Sequence, residues 1–414
     1  MKYSYIFDKN IFGTKASDLS IQDNQFYFGS NQNILNEAKY IDIEHLKLLS
    51  KLFGIQAITF PKEKWIRIYK TLSNEKIDIE TIPWKQIIPN EEFILNAKNY
   101  VSNIVQQLDS LDLSYLEMFE QYQGLFKKLK PAKISVQKCF KYMEVASSGQ
   151  KELLKSFLPN EGFTSMPKYS MTDTVTGRLS INSGPNILLL KKEFRDIIES
   201  RFGSQGKIIY LDFSSLEPRV LMTINNKQRA KSLPQDIYDH FRQENKLNNI
   251  ERNIIKVAVI SQLYGANEET LYKQLQAKIS NPEEFVHSIK DYFGIEELKL
   301  RLKEQFVRSG NRYIQNHYGR YIFCGDAKPY VLLNYFIQST AVDVALQGFT
   351  KIVKKIYAAQ LQDLIVPMFV LHDALILDVH EDAYDAIPKL CKLGSNKIRS
   401  FEDINFYLKE EKLK

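Results

Sequence analysis

The chain is poor in cysteine, with three in 414 residues: Cys139, Cys324 and Cys391. They stand far apart, without the spacing of a zinc site or the density of a disulfide-stapled secreted domain. That usage points to a reducing, intracellular setting. Long apolar runs are missing too. No stretch approaches the ~18 residues of a membrane span, and Met1–Asn10 lacks the apolar centre of a secretory leader. A cytoplasmic protein with no membrane partner is therefore expected. Nor is one sign of charge dominant. Lys and Arg number 56 against 49 acids, a net +7 that permits a polyanionic partner without demanding one. The rest is ordinary for a globular chain, and the length suits two or three domains.

Residues 1–89 read as a small α/β region of unknown role. Ser4–Phe7 and Phe26–Gly29 are strand-like, Ile43–Phe53 has the spacing of an amphipathic helix, and Trp65–Leu72 fits either. Asp42–Glu44 and Asp78–Glu80 both read Asp-Ile-Glu, a pattern with which a 3′→5′ exonuclease site can begin. Too little chain follows for the further acids such a site needs, so ordinary surface acids are expected. From Glu91 to about Phe157 apolar residues recur at three and four, as at Ile94, Ala97, Val101 and Ile104, which predicts helices. The lysine-rich stretch Phe126–Lys138 is either a solvated helix end or a contact for a phosphate backbone.

Chemistry-bearing residues gather further on. Lys207–Arg219 (KIIYLDFSSLEPR) is a short strand-forming run that ends in Asp212, with Glu217 and Arg219 just beyond. A buried strand fixes the direction of a carboxylate at its end, as a divalent-cation site requires; alone, such an Asp merely begins a turn. Thr174–Ser180 (TVTGRLS) is a turn-rich stretch with Arg178 after Gly177. In Glu251–Gly265 a helix is predicted, with Asn248 or Asn249 as its cap and Gly265 as its stop. Arg252 and Lys256 share one face, a clamp suited to a polyphosphate, while Ile255, Val259 and Leu263 can pack on another. Tyr264 follows with a ring on which a base can stack. Met368–Val379 (MFVLHDALILDV) reads as a hairpin presenting His372 and Asp373 at its turn. Between these lie Tyr318-Gly319-Arg320 and a helix over Leu333–Gln347, where Asn334 and Gln338 are one turn apart.

In this order the motifs resemble those of the family A DNA polymerases, the group of bacterial DNA polymerase I and many bacteriophage replicases. TVTGRLS is similar to the family's T-x-TGRLSS element, DFSSLEPRV to motif A, Arg252-x3-Lys256-x7-Tyr264-Gly265 to motif B, LNYFIQSTAVD to the N-x3-Q-x-TA-x-D segment, and LHDALILDV to motif C. The resemblance covers about Met171 to the C-terminus and is closest to a bacteriophage or mobile-element type. It implies an α+β right hand: an antiparallel palm sheet, helical fingers and a helical thumb, beside the small N-terminal α/β region. The implied divisions are a thumb over 90–170, palm over 171–230 and 311–414, and fingers over 231–310.

The implied activity is template-directed addition of dNTPs to a primer 3′-OH. Asp212, Asp373 and the Phe213 carbonyl would hold two Mg²⁺ ions, with Mn²⁺ as a substitute. Arg252, Lys256 and Tyr238 would meet the phosphates, Lys256 would also assist the leaving group, and Tyr264, Glu217 and Ile260 would face the base and sugar of the dNTP. Arg178, Arg195, Asn334, Gln338 and His372 would touch the primer–template DNA. A helicase, primase, processivity factor and separate exonuclease are the expected replication partners. Four departures stand out: Ile260 replaces an aromatic residue, Ala374 the acid of the family's HDE, Tyr238 a histidine and Pro218 an aliphatic residue. No usable proofreading site is expected. The rival readings are a single-subunit RNA polymerase, which Glu217 opposes, and a catalytically dead primer–template-binding subunit.

Overall fold

The structure is a computed structural model and describes residues 4–8, 11, 19–22, 25–28, 38–56, 67, 71, 74–75, 89–159 and 162–411. Asp78–Glu80 lies outside these residues, as does Trp65–Leu72 except for Arg67 and Thr71. The chain divides into two compact units, Met1–Ser114 and Tyr115–Lys414.

In the first unit, β1 (Tyr5–Phe7), β2 (Leu19–Gln22), β3 (Gln25–Phe28) and β4 (Lys39–Ile41) form a sheet in the order β3-β2-β1-β4. Helix α1 (Ile43–Phe53) starts because the Asp42 carboxylate accepts the backbone N–H of His45 at 2.7 Å. Glu44 pairs with Lys47 at 2.7 Å on the surface. Both acids of the first Asp-Ile-Glu triplet thus serve α1, in line with the reading of ordinary surface acids. Helix α2 (Asn90–Ser110) buries Phe93, Ala97, Val101, Ile104 and Leu108, a stripe at helical spacing.

The second unit opens within α3 (Ser114–Phe126), which starts at the boundary, and continues with β5 (Lys133–Ile134), α4 (Val136–Val145) and α5 (Ser148–Lys155). Next come β6 (Lys168–Ser170) and its partner β7 (Ser180–Ser183), then β8 (Ile198–Glu199), which pairs with β5. Strand β9 (Gly206–Phe213) leads into a helical block: α6 (Leu216–Asn225), α7 (Lys227–Ser232), α8 (Ile237–Glu244), α9 (Arg252–Leu263), α10 (Glu268–Leu275), α11 (Pro282–Phe293) and α12 (Ile295–Arg308). The hairpin β10 (Tyr313–Gln315) and β11 (Tyr321–Phe323) precedes the long helix α13 (Leu332–Ala358). Strands β12 (Ile365–Leu371) and β13 (Ala374–His380), helix α14 (Ile387–Ser395) and strand β14 (Leu408–Glu411) complete it.

The α+β expectation holds, and the central sheet is antiparallel in the order β12-β13-β9-β14. Its register places Ala374, Asp212 and Lys409 in one row and Ile376, Tyr210 and Glu411 in another. Side chains alternate along a strand, so these six residues share a face while Ile209, Leu211 and Phe213 take the other. Away from Asp212, the first face is sealed by Ile134, Leu154, Phe157, Phe194 and Ile197 packing around Tyr210 and Ile376. Each fully buried side chain of this size contributes roughly 1.5–3 kcal/mol. On the second face the Phe213 ring meets Phe349 of α13 at 5.6 Å. A Cβ at Gly348 would lie 2.6 Å from the Gly394 carbonyl and 2.8 Å from Phe213, so glycine lets α13 close on α14 and the sheet.

One expected cap is corrected. Glu251, not Asn248 or Asn249, precedes α9, and its side chain makes no capping bond. The two asparagines belong to the turn before, closed by Ile250 N–H on Leu247 O at 2.9 Å, one turn too early to reach the helix amides. The far end of α9 ends as expected: Gly265 adopts φ +72° and Ala266 N–H reaches Ser261 O at 2.9 Å.

Candidate active site

The site begins where β9 ends. Leu371 and Ala374 pair across β12 and β13, leaving His372 and Asp373 as a two-residue turn with His372 at φ +54°. The Phe213 N–H donates to the Asp373 carbonyl at 3.2 Å, fastening the turn to the end of β9. Asp212 and Asp373 are thereby brought together, as the sequence predicts. Burial pushes the Asp212 carboxyl up to about 8, with the charges of Asp373 and Glu411 adding to the rise and Lys409 and Lys256 opposing it. Burial also raises Asp373, against its own backbone N–H and Arg178. Two partly buried carboxylates that resist ionising side by side favour a cation between them. Their hard oxygen donors, with the nearby Phe213 carbonyl, fit Mg²⁺ chemically. Among the described residues no group of three or more His, Cys, Asp or Glu side chains already stands in ligating geometry.

Beyond β9 the backbone turns sharply through Ser215, at φ +52°, into α6. Glu217, in the first turn of α6, accepts the Tyr264 hydroxyl at 3.2 Å. Gln338 on α13 lies near the same hydroxyl and helps set its electrostatics. The start of α6 and the end of α9 are therefore tied through one phenol. Burial raises the Glu217 carboxyl, opposed by the Tyr264 bond and Arg178. Arg252 and Lys256 lie exposed on one face of α9, while Ile255, Val259 and Leu263 are buried and Ile260 is half-buried. Arg252 Nε donates to Asp236 at 2.5 Å, and its guanidinium lies 5.2 Å from the Tyr238 ring centre. Tyr238 is itself buried, with its hydroxyl near Ser215. It braces Arg252 and the turn after Asp212.

The loop before β7 carries Arg178. Gly177, at φ +75°, packs directly on the buried Arg320, whose Nη2 donates to Met171 O at 2.8 Å. Arg195 Nε donates to Leu190 O at 3.1 Å, fixing that side chain over the sheet edge. Desolvation and the guanidinium groups of Arg178 and Arg195 lower the His372 pKa to about 4, keeping its imidazole neutral. On α13, the Asn334 amide oxygen is sealed from solvent and has no protein partner.

Sequence reading missed several neighbours. Lys192, Tyr210 and Glu411 line one cavity with Arg195, Asp212, His372 and Asp373. Asp236 anchors Arg252, and Arg320 underlies Gly177. Leu408–Glu411 reads LKEE, one apolar residue before three charged ones, so its sequence carries no alternation that marks a strand or the neighbour it pairs with.

No curated protein sequence matches the chain. Among solved structures, the chain is similar to the POL domain of Pol1 from M. smegmatis, in a complex with DNA primer-template and dNTP. The identity is 16% over 90% of this chain and 60% of that one, with a TM-score of 0.48. This chain thus spans 60% of the length of that relative. The sequence profile of DNA polymerase family A matches residues 76–402, well over half the chain. From that match, and with its motifs meeting at one sheet edge, the chain belongs to DNA polymerase family A.

Proposed function

We propose that the protein is a template-directed DNA polymerase that adds dNTPs to a primer 3′-OH. The observation that carries this reading is the junction at the sheet edge, where the Phe213–Asp373 backbone bond holds Asp212 and Asp373 side by side. Asp212 and Asp373, with the Phe213 carbonyl, would hold two Mg²⁺ ions, which when bound activate the 3′-OH and neutralise the triphosphate. Arg252 and Lys256 grip the phosphates from one helix face. Lys256 also stabilises the charge of the departing pyrophosphate, by proton or by field. Tyr264 presents its ring at the base pair, held there by Glu217. Glu217 occupies the space a ribose 2′-OH would need, which favours dNTPs and speaks against the RNA polymerase reading. Arg178, Arg195, Asn334, Gln338 and His372 face the primer–template, where contacts shared by every correct pair suit an enzyme whose sequence information comes from the template.

In this reading the sheet is the palm, the block containing α9 is the fingers, and helices of 90–170 supply the thumb. Proofreading comes from elsewhere, since Asp42 and Glu44 are engaged in capping and pairing around α1. The test is extension of a primed template with dNTPs or rNTPs, from matched and mismatched 3′ ends. Mg²⁺-dependent extension with dNTPs, without excision of the mismatch, is expected. A preference for rNTPs, or no extension at all, would overturn the assignment.

A further inference from the structure

We propose that Glu411, on β14, is a third carboxylate of the divalent-cation site, delivered to the cavity in front of Asp212. This rests on the polymerase reading and reaches past residues 76–402, so the family pattern assigns Glu411 no role.

The register explains the placement. Glu411 pairs with Tyr210, two residues before Asp212 on the same face of β9. Diagonal neighbours of this kind on antiparallel strands stand roughly 7–8 Å apart, within reach of a long side chain. On the other flank, Ala374 pairs with Asp212 and offers only a methyl group, so nothing from β13 fills that part of the face. The cavity is walled by Asp212, Asp373 and Glu411 on the acidic side, and by Lys192 and Arg195 on the basic side. The charge of Glu411 acts on both aspartates.

A second observation points to a ligand. Tyr210 lines the same cavity and is 7% exposed, yet its hydroxyl has no hydrogen-bond partner. A buried hydroxyl left in that state costs about 1–3 kcal/mol. A water on a bound cation, or the carboxylate of a re-aimed Glu411, would satisfy it. Glu411 pairs instead with Lys409 at 3.0 Å, with both side chains partly exposed. Turning Glu411 into the cavity therefore costs one exposed ion pair, worth ~0–1 kcal/mol. An octahedral cation needs six oxygens, and the two aspartates leave room for a third acid.

The test is Mn²⁺ binding to the full chain without nucleotide, followed by the paramagnetic resonance of free Mn²⁺. Glu411→Gln is expected to weaken binding about ten-fold, the lower end of what loss of a supporting group costs. The double variant Ala374→Glu/Glu411→Gln, which moves the carboxylate to the other flank of Asp212, is expected to recover most of that loss. Asp212→Asn serves as the reference. If it weakens Mn²⁺ binding and Glu411→Gln does not, the Glu411 assignment fails while the polymerase site stands. If Asp212→Asn has no effect either, the cation site itself is refuted. Thermal melts of each variant separate loss of binding from loss of fold.

Discussion

Gly177→Ala tests how the loop bearing Arg178 is held. At φ +75° an alanine is in the left-handed region, which costs roughly 1–2 kcal/mol for a residue with a Cβ. The new methyl would lie 2.2 Å from Arg320 Nη1 and 2.6 Å from Cζ, inside any allowed contact. Arg320 is 3% exposed, so its guanidinium has no free space to swing into. Its hydrogen bond to the Met171 carbonyl must break or bend, and a bond from a charged donor contributes about 1.5–3 kcal/mol. The sum is a loss of about 2.5–5 kcal/mol, read as a shift of the urea midpoint. Gly203→Ala isolates the backbone part, since Gly203 has φ +60° and nothing within 4 Å of its missing Cβ. It should cost only the ~1–2 kcal/mol of that backbone strain. Because Arg178 follows Gly177 directly, affinity for primer–template should fall with stability in the first variant and not in the second. Equal, small losses at both glycines would show that the Arg320 contact does not hold the loop.

The legible parts of the site were those set by neighbours in sequence. The run 208–211, the apolar arms around His372–Asp373, and the Arg252/Lys256 face of α9 are local patterns, and each folds as its period demands. What stayed hidden depends on partners far along the chain. A slip of one residue in β14 would send Glu411 to the opposite face and bring Glu410 beside Asp212, and nothing in Leu408–Glu411 decides between them. Arg320 under Gly177 and Asp236 on Arg252 are likewise tertiary contacts. The helix expected to end at Gln347 runs on to Ala358 because its polar last turns still bury Ile352, Val353 and Ile356. Asn248 and Asn249 had the right chemistry for a cap but sat one turn too early.

Asp373→Asn should lower extension by at least ~10²–10³-fold while primer–template affinity, measured by fluorescence anisotropy, changes little; retained activity would remove Asp373 from the chemistry. Glu217→Ala should lower discrimination against rNTPs by roughly 10–200-fold in steady-state kinetics, the range for filling or emptying a small space beside a substrate. Asp236→Ala removes both the cap of α8, where the carboxylate accepts from Tyr238 and Asp239 at 3.1 Å, and the anchor of Arg252. It should cost about 1 kcal/mol of stability and raise the KM for dNTPs. The last expectation concerns pH. Asp343 on α13 is fully enclosed, accepting Tyr115 Oη at 3.1 Å and Asn316 Nδ2 at 2.6 Å, and burial raises its pKa from 3.8 to about 7 against the opposing Arg320 charge. The native state therefore keeps a proton that the unfolded chain releases near pH 4, so stability falls as pH rises from about 4 to 7 and is level above. Three units correspond to roughly 4 kcal/mol at most. Asp343→Asn cannot titrate and should flatten that part of the slope. Burial also raises the carboxyls of Asp212, Asp373 and Glu217, so the measured quantity is the difference between wild type and variant in urea midpoint at pH 5 and pH 8. Parallel profiles would mean that Asp343 is ionised throughout, with Arg320 as its buried counter-ion, and that the fall of stability with pH arises at the sheet edge instead.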